Sequence, residues 1–378
     1  MNHTVLRLIN YAWTRTTLIA ICVSLQTPVR GDNLPHLPER NAEVAIPAQE
    51  WPLRPGPRTI ALQIQYPNES LNKVSKSSGL MLTLHNWGGT KAVGTADPRM
   101  LSDRYDVIAI SLDYLQSGAS DPTAVPYDFG YLQALDALRA LHFVFAGLQN
   151  QSVPFDCSRI YAVGGSGGGN VALMCNKLAP RTFACVVDMS GMAKLNDDIA
   201  FNLPGGSSLN AGYSQDASSS TYLSPDAQAI RFIGNPAHLA TMRQLGNVAK
   251  VVVVHGEDDP LCAVADAREL VANMQKAGFD VAPHFISQAD IDGKVFLDSG
   301  HSLGDRSQIV RKVADQFLLP NNAAAKPRPT KCDFELRDSR VQYATPHGHF
   351  IVSYEQGFPV GYFEPIKNDD ETKADSTK

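Results

Sequence analysis

The chain has 378 residues, 44% of them hydrophobic and 19% charged, with 33 Lys and Arg against 38 Asp and Glu and a formal net charge of −5. This is an ordinary globular balance, long enough for one large α/β domain or two small ones. It shows no basic stripe, which argues against a nucleic-acid partner.

In chain order, Arg7 and Arg15 precede a short apolar run, Leu18 to Leu25 (LIAICVSL), followed by polar QTPVRGDN. This reads as a signal peptide over residues 1–31, cleaved after Gly31. The run is short for the roughly 20 apolar residues of a membrane anchor, and Ile21 before Cys22 is too bulky for a lipoprotein processing site. Export, to the periplasm or the medium, is the expected localisation, with no membrane association after cleavage. Residues 32–54, rich in Pro and polar groups, read as an extended lead-in.

TIALQIQY then alternates as a half-buried strand does. GLMLTLHNW (79–87) and YDVIAISLDY (105–114) are denser apolar runs suited to buried parallel strands. Residues 128–147 read as a helix, with Tyr131, Leu135, Leu138, His142 and Phe145 on one stripe and Asp128 as its cap. RIYAV (159–163), ACVVDMS (184–190), AKVVVVHG (249–256) and FDVAPHFIS (279–287) read as further strands. AVADARELVANMQKAG, ending at Gly278, and IVRKVADQFL (309–318) read as helices.

Strands alternating with helices predict parallel βαβ units, and so a doubly wound, mostly parallel sheet over residues 55–320. The alternation breaks at 192–248, a Gly- and Ser-rich insertion and candidate cap, with Tyr213, Tyr222 and His238 as candidate lining residues. Residues 321–366 read as a small β meander, in which Phe334/Leu336, Val341/Tyr343 and Phe350/Val352/Tyr354 alternate; the charged tail 367–378 reads as disordered. Cys22, Cys157, Cys175, Cys185, Cys262 and Cys332 form no CxxC pair, so zinc is not indicated. The pairing of cysteines is not encoded in their spacing; a Cys262–Cys332 bridge is the guess that would tie the C-terminal segment to the core. Asn68-Glu69-Ser70 and Asn150-Gln151-Ser152 are glycosylation sequons, relevant only in a glycosylating cell.

The stretch YAVGGSGGGNVALM (161–174) carries the chemistry. It lacks the spacing of a dinucleotide loop and the lysine of a P-loop. Gly164, Gly165, Ser166, Gly167 and Gly168 instead fit G-x-S-x-G, a tight strand-to-helix turn presenting a serine nucleophile, with Gly167 N–H as an oxyanion donor. The bland alternative is a structural turn with an idle serine. Such a serine needs a base and an orienting acid, expected in the order Ser, acid, His. His301, in DSGHSLGD, suits the base better than His142 on a helix stripe, His238 in the insertion, or His347 and His349 in the meander. Glu257, Asp258 and Asp259 all stand at the end of a strong strand and compete for the acid. The second oxyanion donor is expected from LHNWGGT: the Trp87 N–H first, Asn86 second.

Together, GGSGG as elbow, HGEDDP as the H-G-x-x-D-P acid turn, SGHS and HNWGG resemble the α/β-hydrolase superfamily, and within it esterases of the dienelactone-hydrolase and prolyl-oligopeptidase-like groups. YDFGYLQALDALRAL also looks like a bacterial group of unassigned hydrolase-like proteins. The resemblance points to Asp259 as the acid, with Asp258 next. It implies hydrolysis through an acyl-serine, without metal or cofactor, and does not identify the substrate; the expected partner is a small-molecule or polymer-borne ester. Two positions depart from the pattern: Asn86 replaces the common glycine of the oxyanion loop, and Gly165 stands where larger residues are usual. The competing functions are a prolyl-oligopeptidase-like peptidase and a non-catalytic pseudo-hydrolase that binds a partner. Neither substrate nor oligomeric state is legible.

Overall fold

The computed structural model describes residues 35–118, 125–336, 339–355 and 357–366. The leader expected over 1–31 and the tail 367–378 lie outside them. β3 (Gly79–Leu84), β5 (Ile160–Gly165) and β6 (Cys185–Met189) are buried along their whole length, and β7 (Lys250–Gly256) everywhere but Lys250. Such strands need helices on both faces of the sheet, which explains why their sequences are continuous apolar runs instead of alternating ones. β2 (Thr59–Gln65) alternates exposed and buried positions. With β1 (Ala42–Pro47), β4 (Val107–Asp113) and β8 (Asp280–Ile286), they form one sheet in the order β1-β2-β4-β3-β5-β6-β7-β8. β2 runs antiparallel to β1 and β4, and the other pairings are parallel.

Two hydrophobic cores lie on the two faces. One joins α2 (Tyr131–Asn150), α3 (Gly167–Leu178) and α7 (Val264–Lys276) to the sheet through residues such as Leu138, Met174 and Leu270. The other joins α1 (Pro98–Tyr105) and α8 (Arg306–Leu318) through Leu101, Ile309 and Val313. A separate antiparallel sheet, β9 (Arg340–Thr345), β10 (Gly348–Ser353) and β11 (Val360–Pro365), is held outside the α2/α3 layer: the Tyr354 hydroxyl donates to Leu178 O at 2.8 Å and the Tyr343 hydroxyl to Lys177 O. No helix among the described residues is long and apolar enough to cross a membrane.

Several elements differ from the sequence reading. The lead-in contains a strand, β1, paired along its length with β2. The residue before α2 is Gly130 at φ 98°; Asp128 stands two residues further out and still caps the helix, its Oδ2 accepting from the first-turn amide Gln133 N at 3.0 Å. Phe334 and Leu336 are not in a strand, because Cys332 O takes both Glu335 N and Leu336 N in a turn. The insertion holds α4 (Asp197–Phe201), α5 (Pro225–Ile230) and α6 (Pro236–Gln244). Cys262 and Cys332 are both free and buried in different hydrophobic clusters, so the bridge between them does not form.

Candidate active site

β5 passes into α3 through Ser166 alone, which sits at φ 55°, ψ −122°. A non-glycine residue held there costs on the order of 1–3 kcal/mol, which the surrounding structure must supply. The turn has no room for side chains. A Cβ on Gly164 would lie 2.0 Å from Gly168 O, and one on Gly165 would lie 2.2 Å from Gly94 O. The second contact explains why glycine precedes the serine here: the loop after β3 lies directly across the elbow.

The structure brings Ser166, His301 and Asp259 together from three strand ends. Ser166 Oγ is 2.8 Å from His301 Nε2, and His301 Nδ1 is 2.8 Å from Asp259 Oδ2. The carboxylate accepts a hydrogen bond from Nδ1–H, which fixes the proton on that nitrogen and leaves Nε2 with a lone pair facing the serine. Asp259 is fixed in turn, its Oδ1 accepting from Leu261 N and Cys262 N at 2.9 Å each. Burial pushes its carboxyl up, but the bonds from His301, Cys262 and Leu261 outweigh burial and hold it below the ordinary value. The other two acids of the turn do different work. Asp258 accepts from Ser299 Oγ (2.6 Å) and Gln288 Nε2 (2.9 Å), tying the acid turn to the histidine loop, and Glu257 pairs with Arg268 at the surface.

Gly167 is the first residue of α3, so its amide stands at the helix's positive end. A Cβ on Gly167 would lie 2.7 Å from Trp87 N, so the Trp87 amide stands against the elbow beside it. Asn86 does not serve as a donor: its N–H is bonded to Val93 O at 3.0 Å, closing the 86–93 loop. His85 anchors this loop, with Nδ1 2.7 Å from Asn86 O, Nε2 2.7 Å from Ser117 Oγ, and its ring stacked 3.8 Å from that of Tyr114.

Trp87 stacks on Tyr127, ring centroids 3.8 Å apart, with Phe129 at its edge. Met192, Leu195, Ile199 and Leu223 complete a third apolar cluster with Tyr127, Phe129 and Cys262. The first part of the insertion therefore forms an apolar wall against which Trp87 packs. The second part does not cap the site: α5 and α6 pack on β9, and His238 is buried with Nε2 2.8 Å from Ala344 O and its ring beside Tyr343. Tyr213 packs at the edge of the third cluster, and Tyr222 is exposed.

Sequence reasoning passed over several supports of the site. His255 is buried 3.4 Å from Asp259 Oδ2, and its Nε2 is 2.7 Å from Cys262 O. Asn170 Nδ2 donates to Met192 O, pinning the insertion to the first turn of α3. Arg306 Nη2 donates to His301 O at 2.8 Å. A cation at the first position of α8 opposes the helix dipole, and that misfit was the signal available. Behind the elbow, burial pushes the Asp188 carboxyl up to about 7. Asp259, Cys262 and His301 also place three metal-ligating atoms within 4.8 Å of one another. The carboxylate and both ring nitrogens are already engaged, and burial pushes the Cys262 thiol well above its ordinary range, so a metal there would have to displace the serine and ionise the thiol.

Comparison with solved structures gives similar folds. An acylaminoacyl peptidase from Pyrococcus horikoshii matches with a TM-score of 0.51 at 11% identity, over 77% of this chain and 43% of that one. A puromycin-hydrolyzing peptidase of Mycobacterium tuberculosis has a TM-score of 0.49 at 14% identity, over 79% and 44%. At such identities the likeness concerns the fold alone, which is that of the α/β-hydrolases, and the chain spans less than half the length of either protein. No curated protein matches. A family model described as "Protein of unknown function (DUF2920)" matches residues 109–203 and 206–325, more than half of the chain and the whole stretch that carries the elbow, the acid turn and the histidine. The chain belongs to the DUF2920 family.

Proposed function

We propose that this protein is an exported serine hydrolase that cleaves carboxylic esters. The carrying observation is the unbroken relay from Ser166 through His301 to Asp259, at 2.8 Å for each link, on an elbow that holds the serine at positive φ. Ser166 Oγ attacks the carbonyl carbon while its proton passes to His301 Nε2. The oxyanion that forms is met by the amides of Gly167 and Trp87. Collapse breaks the bond to the alcohol, which leaves with the proton from Nε2. Water then repeats the sequence on the acyl-serine, and the carboxylic acid departs. The flat Trp87–Tyr127 pair and the apolar wall beside it favour an apolar acyl or alcohol group. Export rests on the N-terminal charge and apolar pattern.

A peptidase reading draws on the likeness to the acylaminoacyl peptidase. Purified protein tested on 4-nitrophenyl acyl esters and on peptide 4-nitroanilides separates the two: the ester reading expects turnover of the esters at least a hundredfold above that of the anilides. A fluorophosphonate probe should label the native protein and not Ser166→Ala. No labelling of the native protein would sink the hydrolase reading and favour a binding protein.

A further inference from the structure

We propose that Arg306 is a positioning residue for the general base: its guanidinium ties the backbone of His301 to the serine elbow and so fixes where Nε2 stands against Ser166 Oγ. The inference deepens the hydrolase reading and rests on it.

Two contacts set the guanidinium between the histidine loop and the elbow. Nη2 donates to His301 O at 2.8 Å. Nε lies 3.5 Å from the point where a Cβ of Gly165 would stand, so the side chain passes beside the residue before Ser166. The Gly94 carbonyl stands 2.2 Å from the same point; the loop after β3 and Arg306 therefore share the space that the missing side chain opens. On either side of the histidine, Asp298 Oδ1 takes Gly300 N at 2.8 Å and Leu303 N at 3.2 Å. The carbonyl of His301 itself is held by Arg306. Without that grip the loop can drift and lengthen the 2.8 Å link from Nε2 to Ser166 Oγ; a shift of about 1 Å costs roughly a hundredfold in rate.

Fold stability does not ask for a cation at this position. Arg306 is the first residue of α8, where positive charge opposes the helix dipole. Its Nη1 is shut off from solvent with no hydrogen-bond partner among the described residues, an unfavourable state for a donor. Burial lowers the pKa of the guanidinium, and Asp188, Asp259 and Asp298 offset this only through their charge, from beyond hydrogen-bonding distance. These are three penalties on one side chain, and its one side-chain hydrogen bond among the described residues goes to the histidine backbone. Local rules are broken in this way where stability yields to function.

The test measures kcat, KM and the melting temperature of native protein, Arg306→Met and Arg306→Lys, with 4-nitrophenyl acetate as substrate. Arg306→Met keeps an apolar stem and removes the charge and the donors. Its kcat should fall about 30-fold with KM within about twofold of native. Its melting temperature should equal or exceed the native value, because the penalties leave with the guanidinium. Arg306→Lys returns a donor to His301 O and should recover kcat at least about fivefold over Arg306→Met. A residue that merely supports the fold would lower kcat and melting temperature together. A melting temperature of Arg306→Met more than about 5 °C below native, an unchanged kcat in that variant, or no recovery in Arg306→Lys would overturn the proposal. Fluorophosphonate labelling separates it from the reading beneath it. Native protein that does not label removes the hydrolase reading and this proposal with it. Native protein that labels, beside Arg306→Met labelling at the native rate, removes this proposal alone.

Discussion

Asp259 shows how little the chemistry leaves to chance at the level of one side chain. It accepts two backbone amides with one oxygen and the imidazole with the other, so the proton on His301 can sit only on Nδ1. Asp259→Asn would turn an amide donor toward that nitrogen and reverse the tautomer. For an activated acyl ester, kcat should fall about 10^3–10^4-fold, while the melting temperature stays within a few degrees; an unchanged kcat would remove Asp259 from the relay. Its depressed pKa also adds stability, complete above the unfolded value near 3.9 and lost as pH falls through the folded value. Asp188 behaves in the opposite sense. Burial raises its carboxyl to about 7, so between about pH 4 and 7 the folded chain holds a proton that the unfolded chain has released, and stability falls as pH rises. Asp188→Asn should therefore stabilise the protein at pH 8, on the order of a few kcal/mol, with the gain vanishing near pH 4. A melting-temperature difference independent of pH would contradict this.

At the level of elements, the elbow and the loop after β3 act as one unit because Gly165 lets the carbonyl of Gly94 approach. Gly165→Ala must push that loop away and carry Trp87 N with it. The expected result is a loss of kcat of about a hundredfold in a protein that still folds cooperatively; full activity would show that the loop is not a donor. Much of this architecture could be read from the chain. β3, β5, β6 and β7 announced themselves because burial on both faces demands uninterrupted apolar runs. The elbow, acid turn and histidine were legible because each needs particular residue types at short spacing. β1 was not: it lies at the sheet edge, and AEVAIP reads as weakly as its Pro-rich surroundings. α1 buries only Leu101, Ser102 and Tyr105, too few for a stripe, although Asp97 and Pro98 marked its start. The fate of the Asn86 amide depends on Val93 across a loop, and no local pattern encodes such a contact.

Across the whole molecule, the C-terminal sheet closes the core. Phe334 packs on Phe145, Arg139 Nε donates to Pro359 O at 3.0 Å, and Lys177, fully buried, donates to Ile230 O and Phe232 O beneath the ring of Tyr343. A chain ending at Thr330 would bare the outer faces of α2 and α3 and leave Arg139 without that acceptor. Such a chain should be largely insoluble, or should bind a hydrophobic dye and melt without a cooperative transition; a soluble, cooperatively melting product would show that the sheet is an accessory. The five described cysteines are all unbridged, four of them deeply enclosed. A fold assembled without crosslinks keeps its shape whatever the thiol poise around it. Preparations made in a reducing bacterial interior, with dithiothreitol throughout, should give the same architecture as material collected from an oxidising one.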